Sequence, residues 1–147
     1  RQYTEHYADD GELYQFKAKC LVNLGQIFEA KVACEKSIHH DSVEPHTYLL
    51  YGLILIQLGF VDEAEKAFRQ TVFLNNSFME AHYQLGQLLL KKGQKAMAMK
   101  SIQNALDLAA FEAPDRPIHN VIPLTYAHFS DVMKNELELL KKSESKW

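Results

Sequence analysis

The stretch Tyr51-Gly52-Leu53-Ile54-Leu55-Ile56-Gln57-Leu58-Gly59-Phe60-Val61-Asp62-Glu63-Ala64 carries an apolar run, a glycine that ends it, and an alanine five places on. The same order recurs on both sides of it. Lys17–Ala30 reads KAKCLVNLGQIFEA and Leu85–Ala98 reads LGQLLLKKGQKAMA, so Gly25, Gly59 and Gly93 fall 34 residues apart, with Ala30, Ala64 and Ala98 in step. A self-similarity of this length marks stacked helix-turn-helix units, each too small to bury its own apolar face. The glycine suits a helix C-terminus, where a residue without Cβ enters the left-handed region cheaply. The alanine lets the second helix approach the first.

The period predicts three units of helix pairs, 11–44, 45–78 and 79–112, after a lead-in over 1–10. Helices are expected near 12–24 with 27–40, 45–58 with 61–74, and 79–92 with 95–109. Ser77-Phe78-Met79-Glu80 reads as a capping box, and Pro45 suits a first helical turn. Gly52 and Gly86, with Ala18 at the corresponding place, are the matching small contacts in the first helix of each pair.

Past Glu112 the pattern breaks. Ala113-Pro114-Asp115-Arg116-Pro117 opens a loop over 113–122, and Pro123 starts an expected capping helix over 123–142. Tyr126, Phe129, Met133, Leu137 and Leu140 recur there at spacings of three and four, an amphipathic stripe able to cover the last pair. A polar tail is expected over 143–147.

At 147 residues the chain is one domain's worth, and its 47% hydrophobic and 24% charged fractions are ordinary for a globular protein. A net charge of -3 argues against general nucleic-acid binding. No run is long and apolar enough for membrane insertion, and Arg1-Gln2-Tyr3-Thr4-Glu5 does not open a secretory signal. With two cysteines and no disulfide framework, a reducing, cytoplasmic setting is expected. The chain does not open on Met, as expected of a fragment or a processed product.

The units resemble the tetratricopeptide repeat family. In the third unit its pattern falls on His82, Leu85-Gly86, Leu89, Gly93, Ala98, Ile102 and Ala105; in the second, on Tyr48, Tyr51-Gly52, Leu55, Gly59, Ala64 and Phe68. Thr71 and Ser37 depart from the usual alanine, and Asn76 and Ala110 from the usual terminal proline. The resemblance implies an all-α, right-handed superhelix of three helix pairs plus a C-terminal capping helix. It also implies a concave groove lined by the first helix of each pair. Glu12, Gln15, Lys19 and Asn23 would line it first, then His46, Leu49, Leu53, Ile56 and Gln57, then Glu80, Tyr83, Gln87, Leu90 and Lys91. Family members that clamp a peptide's terminal carboxylate carry Lys and Asn in the first such helix, and Lys and Arg in the third. Here Gln15, Lys19, Glu80 and Gln84 stand instead.

A narrower resemblance lies in Phe73-Leu74-Asn75-Asn76-Ser77-Phe78-Met79-Glu80-Ala81-His82-Tyr83-Gln84-Leu85-Gly86, followed by Asn104-Ala105-Leu106. It is similar to the repeats at the C-terminus of some bacterial chemotaxis-type protein-glutamate methyltransferases. That likeness implies a targeting or regulatory module, a chemoreceptor or signalling regulator as partner, and an upstream catalytic domain that would hold S-adenosylmethionine. The alternative is an adaptor or scaffold of another bacterial system, such as pilus assembly.

The apolar centre of the groove, Leu49, Leu53 and Ile56, marks a partner surface, or a surface covered by a segment of the same protein or a symmetry mate. No catalytic constellation, cofactor loop or metal site is expected. His39, His40 and His46 lack both a paired spacing on a helix and a cysteine partner. Cys20 and Cys34 are expected on meeting faces of one pair, as buried apolar thiols. Lys91, Lys92, Lys95 and Lys100 read as a solvated face.

Overall fold

The computed structural model describes residues 10–112 and 125–145, and all of its regular structure is helical. The helices are α1 (Asp10–Asn23), α2 (Ile27–His40), α3 (Pro45–Leu58), α4 (Val61–Leu74), α5 (Met79–Lys91), α6 (Lys95–Ala109) and α7 (Tyr126–Ser145). There is no β-strand among the described residues. The chain divides into two compact units, residues 1–76 and 77–147.

Within the first unit α1 packs on α2, α2 on α3 and α3 on α4; within the second, α5 packs on α6 and α6 on α7. Each pair turns on the same device. Gly59 has φ 87°, and its N–H donates to Ile56 O at 3.1 Å while Phe60 N–H donates to Leu55 O at 2.9 Å. These two bonds satisfy carbonyls that a helix end leaves unpaired. The pairs at Gly25 and Gln26, and at Gly93 and Gln94, repeat the arrangement. Helix α3 opens on Pro45, with the Glu44 carboxylate accepting from His46 N–H at 2.9 Å. Helix α5 is bounded by Phe78, one residue after the Ser77 of the expected capping box.

The first unit's core includes Ala18, Ala30, Ala33, Cys34 and Ile54. The departures from alanine are accommodated. Ser37 Oγ donates to Gly11 O at 2.7 Å, tying the end of α2 to the start of α1, and Thr71 Oγ1 donates to Ala67 O at 2.9 Å. Both hydroxyls are buried and hydrogen-bonded, so neither carries the cost of an unmet polar group. The two cysteines do not share a face, contrary to expectation: Cys34 is buried and Cys20 is exposed. Cys20 lies two residues past buried Ala18, about 200° further round the helix.

In the second unit Met79, Ile102, Ala105 and Ala109 join Tyr126, Phe129, Met133 and Leu137 in one core. Helix α7 therefore covers the apolar face of the third pair. It runs to Ser145, three residues beyond the expected end, so the expected tail is helical over 143–145. The expected loop over 113–122, the start at Pro123, most of the lead-in and residues 146–147 lie outside the described residues.

Candidate partner-binding surface

In the first unit the expected stripes sit on α1 and α3. Gln15 is half-buried, and its Nε2 donates to Thr47 Oγ1 at 2.7 Å, which fixes the register of α1 against α3. Gln15 is thus part of the helix junction as much as of an open surface. Lys19, Asn23, His46 and Gln57 are exposed, and Leu53 and Ile56 are half-buried. His46 is engaged at its foot, where its Nδ1 lies 2.8 Å from Glu44 Oε2. Leu49 is only 5% exposed and offers almost no surface to a partner. Helix α3 packs on both α2 and α4, so more of its circumference is core than that of a terminal helix. The apolar part of the stripe reduces to Leu53 and Ile56.

Phe16 was absent from the expected set. It lies four residues after Glu12 and three before Lys19, on the same stripe of α1, and is 67% exposed. The i, i+4, i+7 spacing of Glu12, Phe16 and Lys19 was the signal that could have found it. An open aromatic beside Lys19 is the most accessible apolar anchor on that stripe.

In the second unit the stripe of α5 is shared with α7. The Tyr83 ring meets the Phe129 ring edge-on, with centroids 4.6 Å apart. Gln87 Nε2 donates to Glu136 Oε2 at 2.7 Å, and Leu90 packs against the α6–α7 core. Burial, with the Glu136 carboxylate nearby, pushes the Tyr83 phenol up, so it stays protonated and polar at neutral pH. The other oxygen of Glu136 is buried without a hydrogen-bond partner among the described residues. Glu80 is half-buried and Lys91 exposed, leaving the two ends of this stripe the more open.

A second polar contact joins α2 to α3 away from the stripes. Glu35 Oε2 accepts from Lys31 Nζ at 2.7 Å and from Tyr51 OH at 2.9 Å. The Lys31 hydrogen bond, more than any other influence, holds the Glu35 carboxyl below its ordinary range. Burial and then the Glu35 carboxylate push the Tyr51 phenol well up. This cluster fastens α2 to α3. No group of three or more His, Cys, Asp or Glu side chains is placed to hold a metal ion among the described residues. No helix of the described residues is long and apolar enough to cross a membrane.

Comparison with known proteins bears on the fold. Residues 45–75 and 80–111 match the family model described as tetratricopeptide repeat, covering the second and third helix pairs. Among curated proteins none matches the chain significantly. Among solved structures, the type III secretion chaperone SycD of Yersinia enterocolitica, in complex with a peptide of the translocator YopD, is similar. It has 18% identity and a TM-score of 0.78 over 90% of this chain and 93% of that one. A type III secretion complex from Aeromonas hydrophila gives 17% identity and a TM-score of 0.80 over 98% of this chain and 89% of that one. The first tetratricopeptide domain of Spaghetti (RPAP3), bound to an HSP90 peptide, gives 17% and 0.73 over 92% and 94%. At these identities the likeness is one of fold.

Proposed function

We propose that this chain of tetratricopeptide repeats is a protein-interaction module that holds a segment of a partner protein along the stripes of α1 and α3, with no chemistry of its own. The observation that carries the reading is the open stripe itself, where exposed Phe16 and half-buried Leu53 and Ile56 stand among Lys19, Asn23, His46 and Gln57. Apolar anchors ringed by polar groups suit an extended or helical peptide, which contributes affinity through the anchors and register through the rim. Glu80, Tyr83, Gln87, Leu90 and Lys91 make the corresponding stripe of the second unit, where α7 already takes part of the surface.

The setting proposed for the module is a chemotaxis-type methyltransferase, supported by the likeness of 73–86 and Asn104-Ala105-Leu106 to the repeats appended to such enzymes. In that setting S-adenosylmethionine and catalysis belong to an upstream domain, the partner is a chemoreceptor or signalling regulator, and the module acts in the cytoplasm by tethering. A second reading is an adaptor or chaperone of another bacterial assembly. It is supported by the fold likeness to a secretion chaperone solved with a translocator peptide.

The test is titration of the chain with a chemoreceptor cytoplasmic fragment and, separately, with a translocator-type peptide, using wild type and Leu53→Glu. Leu53 is only half-buried, so the variant should keep its helical circular dichroism. Loss of an apolar anchor and burial of an unpaired charge should weaken binding by about 2 kcal/mol, roughly thirtyfold. Whichever ligand binds identifies the setting. Unchanged affinity of Leu53→Glu for that ligand would show that the stripe is not the site.

A further inference from the structure

One side of α2 carries Phe28, Val32 and Lys36 in one stripe, with Glu29 beside it. Phe28 is 63% exposed and Val32 is 41% exposed. With Tyr14, Lys17 and Leu21 of α1 they line a shallow cleft of about 230 Å³. The described helices of the first unit leave this face open.

The two ends of the face differ chemically. At the α1–α2 turn stand an aromatic ring and an acid, Phe28 and Glu29. At the other end Lys36 Nζ lies 5.5 Å from the Tyr14 ring centroid, a cation already seated over an aromatic face. Of the other cations nearby, Lys31 is held by Glu35, and Lys17 of α1 lines the same cleft. Phe28 and Lys36 lie four residues, about 6 Å, on either side of Val32. A two-fold axis passing at Val32 therefore sets Val32 against Val32 in two antiparallel α2 helices. It also lays Phe28 and Glu29 of each copy on Tyr14 and Lys36 of the other. A two-fold interface must be self-complementary, and this face has an apolar centre with an acid three residues before it and a cation four residues after it.

We propose that a second copy of this chain docks here, α2 against α2, about a two-fold axis at Val32. The surface is distinct from the stripes of α1 and α3, so dimerisation leaves them free and does not depend on the partner reading above.

Sedimentation equilibrium of the full 147-residue chain tests it. The expected result is a concentration-dependent dimer that Val32→Glu converts to a monomer of unchanged helicity. Glu29→Lys and Lys36→Glu should each weaken the dimer several-fold, because each sets like charges together twice. The double variant Glu29→Lys/Lys36→Glu should restore it. Leu53→Glu should leave it intact. A wild-type chain that stays monomeric at all concentrations overturns the proposal. So does a dimer indifferent to Val32→Glu, or one that the charge exchange fails to restore.

Discussion

Cys34, Phe68 and Ile102 occupy corresponding places in the three helix pairs, and Ala18, Gly52 and Gly86 occupy the places opposite. The two series compensate. A Cβ added at Gly52 would stand 2.5 Å from the Phe68 ring, so glycine is required there, whereas the first pair sets alanine against the smaller Cys34. Core positions tolerate exchanges that conserve total volume and resist those that do not. Cys34→Phe should therefore cost about 1–3 kcal/mol in urea unfolding. Adding Ala18→Gly should recover part of that loss, although the glycine alone destabilises a helix by about 1 kcal/mol. Additive costs would show that the two side chains do not share space. The period was plain in the sequence, but this exchange of volume was not, because Cys34 read as a generic apolar residue until its neighbour was seen.

Cys34 carries a second consequence. Burial, with Glu35 beside it, pushes its thiol from an ordinary 9.0 up to about 12. Above pH 9 the unfolded chain loses this proton while the folded chain keeps it. Deprotonation then favours unfolding, and the stability Cys34 contributes is present below pH 9 and lost between there and about 12. Denaturant midpoints of wild type should fall more steeply with pH across that window than those of Cys34→Ala. In the folded protein a thiol reagent should modify Cys20 promptly and Cys34 only as fast as the core opens. Prompt reaction of both would mean that Cys34 is not buried in solution.

At the scale of elements, the glycines placed the ends of α1, α3 and α5 within one residue, because a left-handed cap is a local device visible in one or two letters. Helix α7 was legible as an apolar stripe, yet its end was not. Leu139, Leu140, Lys141 and Lys142 are good helix formers with no glycine or proline after them to stop the helix. Spacing showed that the apolar stripe of α7 would cover the third pair, as it does, but not which side chains meet there. Phe129 is 1% exposed, set between the α6 core and the Tyr83 ring. Phe129→Ala should lower unfolding free energy by about 3–5 kcal/mol, as a large aromatic leaves a cavity. A thermal scan is the check. A near-neutral result would show that α7 rests on its polar contacts, Gln87 with Glu136 and Lys95 with Ser143, more than on its apolar ones.

At the scale of the molecule, the repeat period puts the expected stripes on the first helix of each pair but does not show how much of each stripe a neighbouring helix consumes. Leu49, Gln15 and Tyr83 share a period with the open residues and differ only in what lies beside them, which no spacing records. Phe16 is the converse, an aromatic in step with Glu12 and Lys19 that no neighbouring described helix consumes, so the structure leaves it on the surface. The order in which the helices meet has a kinetic side. Within each unit every helix packs chiefly on the next one along the chain, and helices within a pair are joined by two or three residues. Closing so short a loop sacrifices little chain entropy, so the nucleus of any pair is reached by local search. Chains dominated by such neighbours fold in microseconds to milliseconds, and growth can spread from whichever pair forms first. An interaction module built this way can lose its outermost helices and re-form them quickly enough to do so around a partner already in contact.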